Sequence, residues 1–333
     1  MLFGTLLLGL MLLSLMAWRL SVGPVDLGFL TGRLEAALNT EGAPTQIKIG
    51  GIELAWEGFH RGLDRPLDLR LSNVEVVDDT GHKRLEVPRA VAILSVPALM
   101  LGRIVPRAVE LDGVRLTATR GADNNIGIDV GSLTEAADSP KPGTIDVAAG
   151  LAELMRPSSA DIVPRLNGLS QLRHIRLRDL ELSVVDRVLG VTWTASRTEL
   201  DLIRRGGGGI NAAGSAVLAL KDQLAVLTLG AATGPDLSAT QVRFSLGPVV
   251  PAALGVPGLD AFDAPVSIEG SLTFSSIFAL QAGAAAVRMG AGTLHAGTGT
   301  VPVKAASLTI AATPDTIAIE AASLVYRNCK CQW

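Results

Sequence analysis

Four histidines and two cysteines are the residues best suited to metal or nucleophilic chemistry, and their spacing offers little. His60, His82, His174 and His295 stand apart from one another, and no H-E-x-x-H, G-x-S-x-G or Walker pattern occurs. Cys329 and Cys331 form a C-x-C close to the C-terminus, without a second pair for zinc or further cysteines for a disulfide framework. Gly207, Gly209 and Ala212 match G-x-G-x-x-A, but both flanks read as strand where a dinucleotide fold needs a helix after the loop. Residues 123–129, DNNIGID, open like a calcium loop, yet Thr134 stands where the closing Glu is required. Asp78 and Gly81 read as a hairpin turn. No catalytic, cofactor-binding or metal residue is assigned, and the chain is expected to be no enzyme and to carry no cofactor.

The elements that would position any site are therefore the more informative subject. The 333 residues suffice for one large or two ordinary domains. A net charge of -3 with scattered Lys and Arg argues against nucleic-acid binding. Hydrophobic residues make up 48% but aromatics only 4%, so the apolar mass is Leu, Val, Ile and Ala. Frequent Gly and Pro interrupt it, which favours many strands over long helices.

Residues 2–18 carry no charge and end in Trp18 and Arg19, an aromatic and a cation suited to the lipid headgroup level. They read as a transmembrane anchor with Trp18 and Arg19 at the interface; a cleaved signal peptide and a buried core helix are the competing readings. The flanking charge does not set the orientation. Leu27, Leu30, Leu34 and Leu38 then fall at helical spacing, stopped by Gly42 and Pro44. This stretch is expected to be a helix capping a sheet, with a surface-lying membrane helix as the alternative.

From Gln46 the text is strand-like and carries a repeated slip. IKIGGIEL places Ile47, Ile49, Ile52 and Leu54 at i, i+2, i+5 and i+7, whereas an uninterrupted strand alternates faces strictly. LRLSNVEV repeats it with Leu69, Leu71, Val74 and Val76, VELDGVRL with Val109, Leu111, Val114 and Leu116, and IRLRDLEL with Ile175, Leu177, Leu180 and Leu182. Looser copies carry Ile317, Ile319, Ala322, Leu324 and Val301, Val303, Ala306, Leu308. Three geometries fit: a β-bulge at each inserted pair that bends the strand and keeps four apolar side chains on one concave side, a tight hairpin, or strands passing between the sheets of a sandwich. The bent trough is the favoured expectation. The sixteen residues of the first four copies are its candidate lining.

The expected class is thus mainly β: a transmembrane helix, then a bent, groove-like antiparallel sheet with a few short helices. The expected division is an anchor over 1–20, a capping helix over 21–44, a first β unit over 45–133, a linker with a short helix over 134–170, and a second β unit over 171–333, read as truncated at its C-terminus. VELDGVRL and IRLRDLEL, 66 residues apart, open comparable passages, and apolar interruptions at 95–106 and 247–258 echo each other.

On these motifs the chain resembles a known family. The anchor, I-x-I-x-x-I-x-L-x-W at 47–56, P-L-x-L-R-L-x-x-V-x-V-x-D at 66–78, and Gly81 followed by L-E-V-P at 85–88 look like the opening of the AsmA-like proteins. So do residues 94–120 and N-x-G-I at 125–128, while residues 175–205 are similar to the second domain of the YhdP type. The resemblance implies a Gram-negative envelope protein held in the inner membrane by one span, its body in the periplasm, with a β-groove that conducts phospholipids toward the outer membrane. YhdP-type members are commonly far longer, which bears on whether this chain spans the periplasm unaided. Phospholipid acyl chains and the inner membrane are the expected partners, with other envelope proteins beside them. The alternative is a structural or regulatory envelope protein that assists outer-membrane assembly by protein binding.

Overall fold

A computed structural model describes residues 11, 14, 18, 19, 22–39, 45–56, 67–78, 83–95, 106–121, 126–130, 172–206, 208–235, 239–275, 279–296, 299–326 and 329–332. Among them the chain is mainly β, with nineteen strands and one α-helix described over its full length. Two compact units interleave in sequence: Met1–Val114, Val130–Ser132 and Ser158–Arg176 form the first, and Arg115–Asp129, Leu133–Pro157 and Leu177–Trp333 the second. The linker expected over 134–170 and most of the expected anchor lie outside the described residues. Residues 11, 14, 18, 19 and 22 are helical, Trp18 and Arg19 both exposed. No helix among the described residues is long and apolar enough to cross a membrane.

The first unit contains β1 (Val25–Asp26), a 3₁₀ turn (Gly28–Leu30), α1 (Thr31–Leu38), β2 (Thr45–Trp56), β3 (Leu67–Asp78), β4 (Lys83–Leu94) and β5 (Pro106–Asp112). Strands β2 to β5 form an antiparallel meander. The helix expected over 21–44 is shorter, because Val25 and Asp26 pair with Leu54 and Glu53 instead. It lies along the outer edge of β2. Glu35 Oε1 accepts the Ile49 N–H at 2.7 Å, and the Asn39 side chain accepts from Ile47 N at 2.6 Å while donating to Ile47 O at 2.9 Å. Helix side chains and β1 thereby satisfy the outer backbone groups of an edge strand that would otherwise template aggregation.

The slip within β2 to β5 has a different cause from the expected bulge. A bulge sets two residues against one, but β2 and β3 stay in one-to-one register through it, Ile49 opposite Val74 and Gly51 opposite Ser72. The same holds for β3 on β4, with Ser72 opposite Arg89 and Val74 opposite Val87. Each strand makes the same correction at the same level. On β3 Asn73 enters the left-handed region at φ 50°, just past the end of β5 Gly113 does so at φ 74°, and Pro88 stands at the same level on β4. Backbone hydrogen bonds show the change of phase directly. Ile47 and Ile49 turn their N–H groups outward to α1, yet it is the Ile52 carbonyl that faces the same way, accepting from Leu27 N at 2.8 Å. A regular strand would have presented residue 51. Close approach favours a glycine here: a Cβ on Gly50 would lie 3.0 Å from Asn73 Cβ and 3.1 Å from the Ser72 carbonyl oxygen.

The second unit contains β6 (Arg115–Arg120), β7 (Ile126–Val130), β8 (His174–Asp186), β9 (Val191–Arg204), β10 (Ile210–Leu220), β11 (Gln223–Thr233), β12 (Ala239–Val249), β13 (Phe262–Asp263), β14 (Val266–Ser275), β15 (Leu280–Met289), β16 (Gly292–Ala296), β17 (Gly299–Ala312), β18 (Ile317–Tyr326) and β19 (Cys329–Gln332). Residue 130 of β7 and residues 174–176 of β8 count with the first unit. Strands β9, β10, β11, β12, β14, β15, β17, β18 and β19 pair antiparallel in that order. True bulges occur here, as between Ser215 and Val217 of β10 against β9. The apolar interruption expected over 247–258 is a 3₁₀ turn, Pro251–Leu254, closed by Gly255 at φ 72°.

The 66-residue repeat is a pairing rule as well as a similarity. Strand β6 lies parallel to β8 with Arg115 opposite Glu181 and Arg120 opposite Asp186, so equivalent positions of the two copies are neighbours. Their charges complement: Arg115–Glu181 at 3.2 Å and Arg120–Asp186 at 3.0 Å, and within the first unit Arg176–Glu110 at 3.4 Å. Asp186 also accepts the N–H groups of Val188 and Leu189 at 2.9 Å each. The Leu189 N–H bond and the Arg120 guanidinium outweigh desolvation and hold its carboxyl below the ordinary range.

Two predictions follow from these contacts. Gly113→Ala places a Cβ in left-handed backbone and 3.3 Å from Pro88 Cγ, so urea denaturation should show a loss of about 1–2 kcal/mol, whereas Asn73→Gly should leave the midpoint nearly unchanged. Because Asp186 has a lowered folded-state pKa, its stabilisation is complete above the unfolded value near pH ~4 and disappears as pH falls further. Asp186→Asn should therefore flatten the acid limb of the stability profile, with little change in that slope near neutrality.

Candidate functional site

Strand register places the sequence-selected residues in rows. In the first unit Ile52, Leu71, Ala90 and Leu111 lie side by side across four strands, and so do Leu54, Leu69, Ala92 and Val109. Beyond the slip, Ile49, Val74 and Val87 form the next apolar row, and Ile47 faces Val76. Between these rows the other face carries Lys48, Glu75 and Glu86, then Glu53, Arg70, Val91 and Glu110. The phase change thus keeps apolar and polar side chains on opposite faces along the whole strand. One row departs from this. Ala55, Asp68, Ile93 and Ala108 share the polar side at one end and are all buried.

Of the sixteen candidate lining residues none is exposed. Ile49, Ile52, Leu54, Val114 and Leu180 are buried; Ile47, Leu69, Leu71, Val74, Val76, Val109, Leu111, Leu116, Ile175, Leu177 and Leu182 are half-buried. The fourth copy makes its correction as the third does, with Asp179 at φ 49°.

The larger apolar surface carries no repeated motif. In the second unit Ala216, Leu227, Leu246, Ile268, Val287, Leu308 and Ala322 form one row across seven strands. A second row is Leu200, Gly214, Leu229, Phe244, Gly270, Ala285, Ile310 and Ile319, and a third is Leu202, Ala212, Ala231, Val242, Leu272, Gly283, Ala312 and Ile317. The intervening rows, on the other face, hold Ser215, Thr228, Ser245, Glu269 and Thr309, then Asp201, Arg243 and Ser271. Most of the apolar face is half-buried, and Leu229 is 46% and Ile319 67% exposed. Plain alternation in LAVLTLGA and its neighbours was the available signal, and it is weaker to the eye than a repeated irregularity.

Catalytic chemistry finds no constellation among the described residues: no group of three or more His, Cys, Asp or Glu could hold a metal. The Asp186 carboxyl, held below the ordinary range, has the partners of a turn and a strand pair. Gly209 of the G-x-G-x-x-A match lies in the turn between β9 and β10 at φ 81°, and the start of the calcium-like loop lies outside the described residues. Comparison with known proteins finds no match to any family model, any curated protein or any solved structure.

Proposed function

We propose that the chain carries phospholipids, its apolar sheet faces holding acyl chains while the opposite faces meet water. The observation that carries this reading is the half-exposed apolar face of the second unit, continuous over seven strands and free of charged residues in the three rows described above. Each CH₂ removed from water there is worth about 0.8 kcal/mol. Rows of Leu, Val, Ile and Ala offer that gain at many equivalent positions, which suits passage along a surface better than capture at one point. No bond is made or broken, so no catalytic residue is called for.

The same reading places residues 2–18 in the inner membrane as an anchor, Trp18 and Arg19 at its interface, and the β units in the periplasm. Its support is the uncharged run in the sequence and the AsmA-like motifs. A second reading, docking of another envelope protein, draws on one feature: Leu224 and Val226, 70% and 51% exposed, interrupt the polar face of the second unit.

Photocrosslinking groups at Leu71, Leu111, Leu229 and Phe244 should yield phospholipid adducts in cells, and groups at Glu75 and Arg243 should not. Absence of lipid at all four apolar-face positions would sink the proposal. Leu229→Asp, at a half-exposed site, should cost about 1 kcal/mol of stability or less while sharply reducing co-purified lipid. If Leu224→Asp alone removed activity, protein docking would be the better account.

A further inference from the structure

The apolar face of the second unit is not uniform along its strands. At one end it is roofed. Leu220, Ala225 and Val249 are each 2% exposed and pack with Ala253 of the 3₁₀ turn, joined by Trp193, Leu218, Leu246 and Leu254. Leu218 lies opposite Ala225 on the apolar side, so the turn sits over that face. It is fastened there by three side chains: Trp193 Nε1 donates to Leu254 O at 2.9 Å, Lys221 Nζ to Ala252 O at 3.2 Å, and Gln223 Oε1 accepts the Val250 N–H at 3.0 Å. Four residues beyond Ala225 on β11 the roof is gone, and Leu229 is 46% exposed.

Resting on the lipid-carrying reading, we infer that this turn is an end wall: acyl chains lie along the strands with their methyl ends against Trp193 and Leu254 and their polar heads toward the far strand ends. Two features set the direction. The wall is lined by apolar side chains packed to near-complete burial, where a headgroup would lose its water without gaining partners. The opposite ends of the strands carry polar groups on that same face, Arg204 on β9, two residues beyond Leu202, and Thr240 on β12, two residues before Val242. A wall of this kind turns a symmetric slab into a surface with a fixed sense, since a chain entering head-first meets a closed apolar corner.

Trp193 reports on the wall directly. In the full chain with Trp18, Trp56 and Trp333 changed to Phe, phosphatidylcholine brominated near the methyl end of one acyl chain should quench Trp193 emission more than the same lipid brominated near the carbonyl. Moving the only tryptophan beyond the roof on a roofed strand, Trp193→Phe with Leu229→Trp, should reverse that order; Leu229 lies on β11 and is 46% exposed. Equal quenching from both bromine positions, or the same order at both reporters, overturns the end wall and leaves lipid carriage standing. Absence of quenching by either lipid at either reporter overturns both.

Discussion

Everything in the first unit depends on a correction made at one level of the sheet. Two successive residues on each strand face the polar side, and the left-handed backbone of Asn73 on β3 and of Gly113 just past β5 makes that possible there. Without it, the strand-long alternation would carry Ile52 and Leu54 to the face that holds Glu53 and Lys48. A lone strand doing this would lose its partner, since a change of phase also turns its hydrogen-bonding groups around. The register is kept because the neighbours change phase together. Gly50, Asn73, Pro88 and Gly113 mark that common level, and Pro88, which has no N–H to give, stands where the ladder is interrupted.

The edge follows the same logic. Among the described residues strand β2 has a two-residue partner on its outer side, and its outward backbone groups change direction between Ile49 and Ile52. A single added strand in regular register could not satisfy both halves. The solution is divided: Glu35 and Asn39 reach from α1 to the first half, and β1 with Leu27 covers the second. The helix is thereby positioned by hydrogen bonds to a strand edge, which explains why so short a helix is retained.

Much of this was legible in the sequence, though not its mechanism. The spacing of Ile47, Ile49, Ile52 and Leu54 announced a slip, and the inserted pairs were identified correctly: in three of the four, the second residue, Asn73, Gly113 or Asp179, is the one with positive φ. What spacing could not distinguish was an extra residue on one strand from a matched step on all of them, because a pattern of side chains within one strand carries no information on its neighbour's register. The broad face of the second unit was missed for the opposite reason. Residues such as Leu227, Leu229, Val242 and Phe244 alternate regularly, and Ala and Gly dilute the rows until the strands are laid side by side. The 66-residue offset was visible, but that it would also be the pairing offset of β6 and β8 required the fold.

The two faces place opposite demands on the same backbone, and the distribution of exposure shows which demand prevails where. An apolar residue that serves only to hold a sheet together gains most when its burial is complete, as at Leu220 and Val249 under the 3₁₀ turn. Leu229, Ile317 and Ile319 share that face yet keep much of their surface in water, so their gain on folding is only partial. Covering them with a second layer would add stability; leaving them open reserves the same free energy for a partner that is itself apolar. A soft, chain-like partner fits such a surface better than a structured one, because it can follow rows of small and branched side chains without matching any single pocket. Where the turn held by Trp193 closes over the face, that freedom ends, and the boundary between closed and open burial sets how far along the strands such a partner can reach.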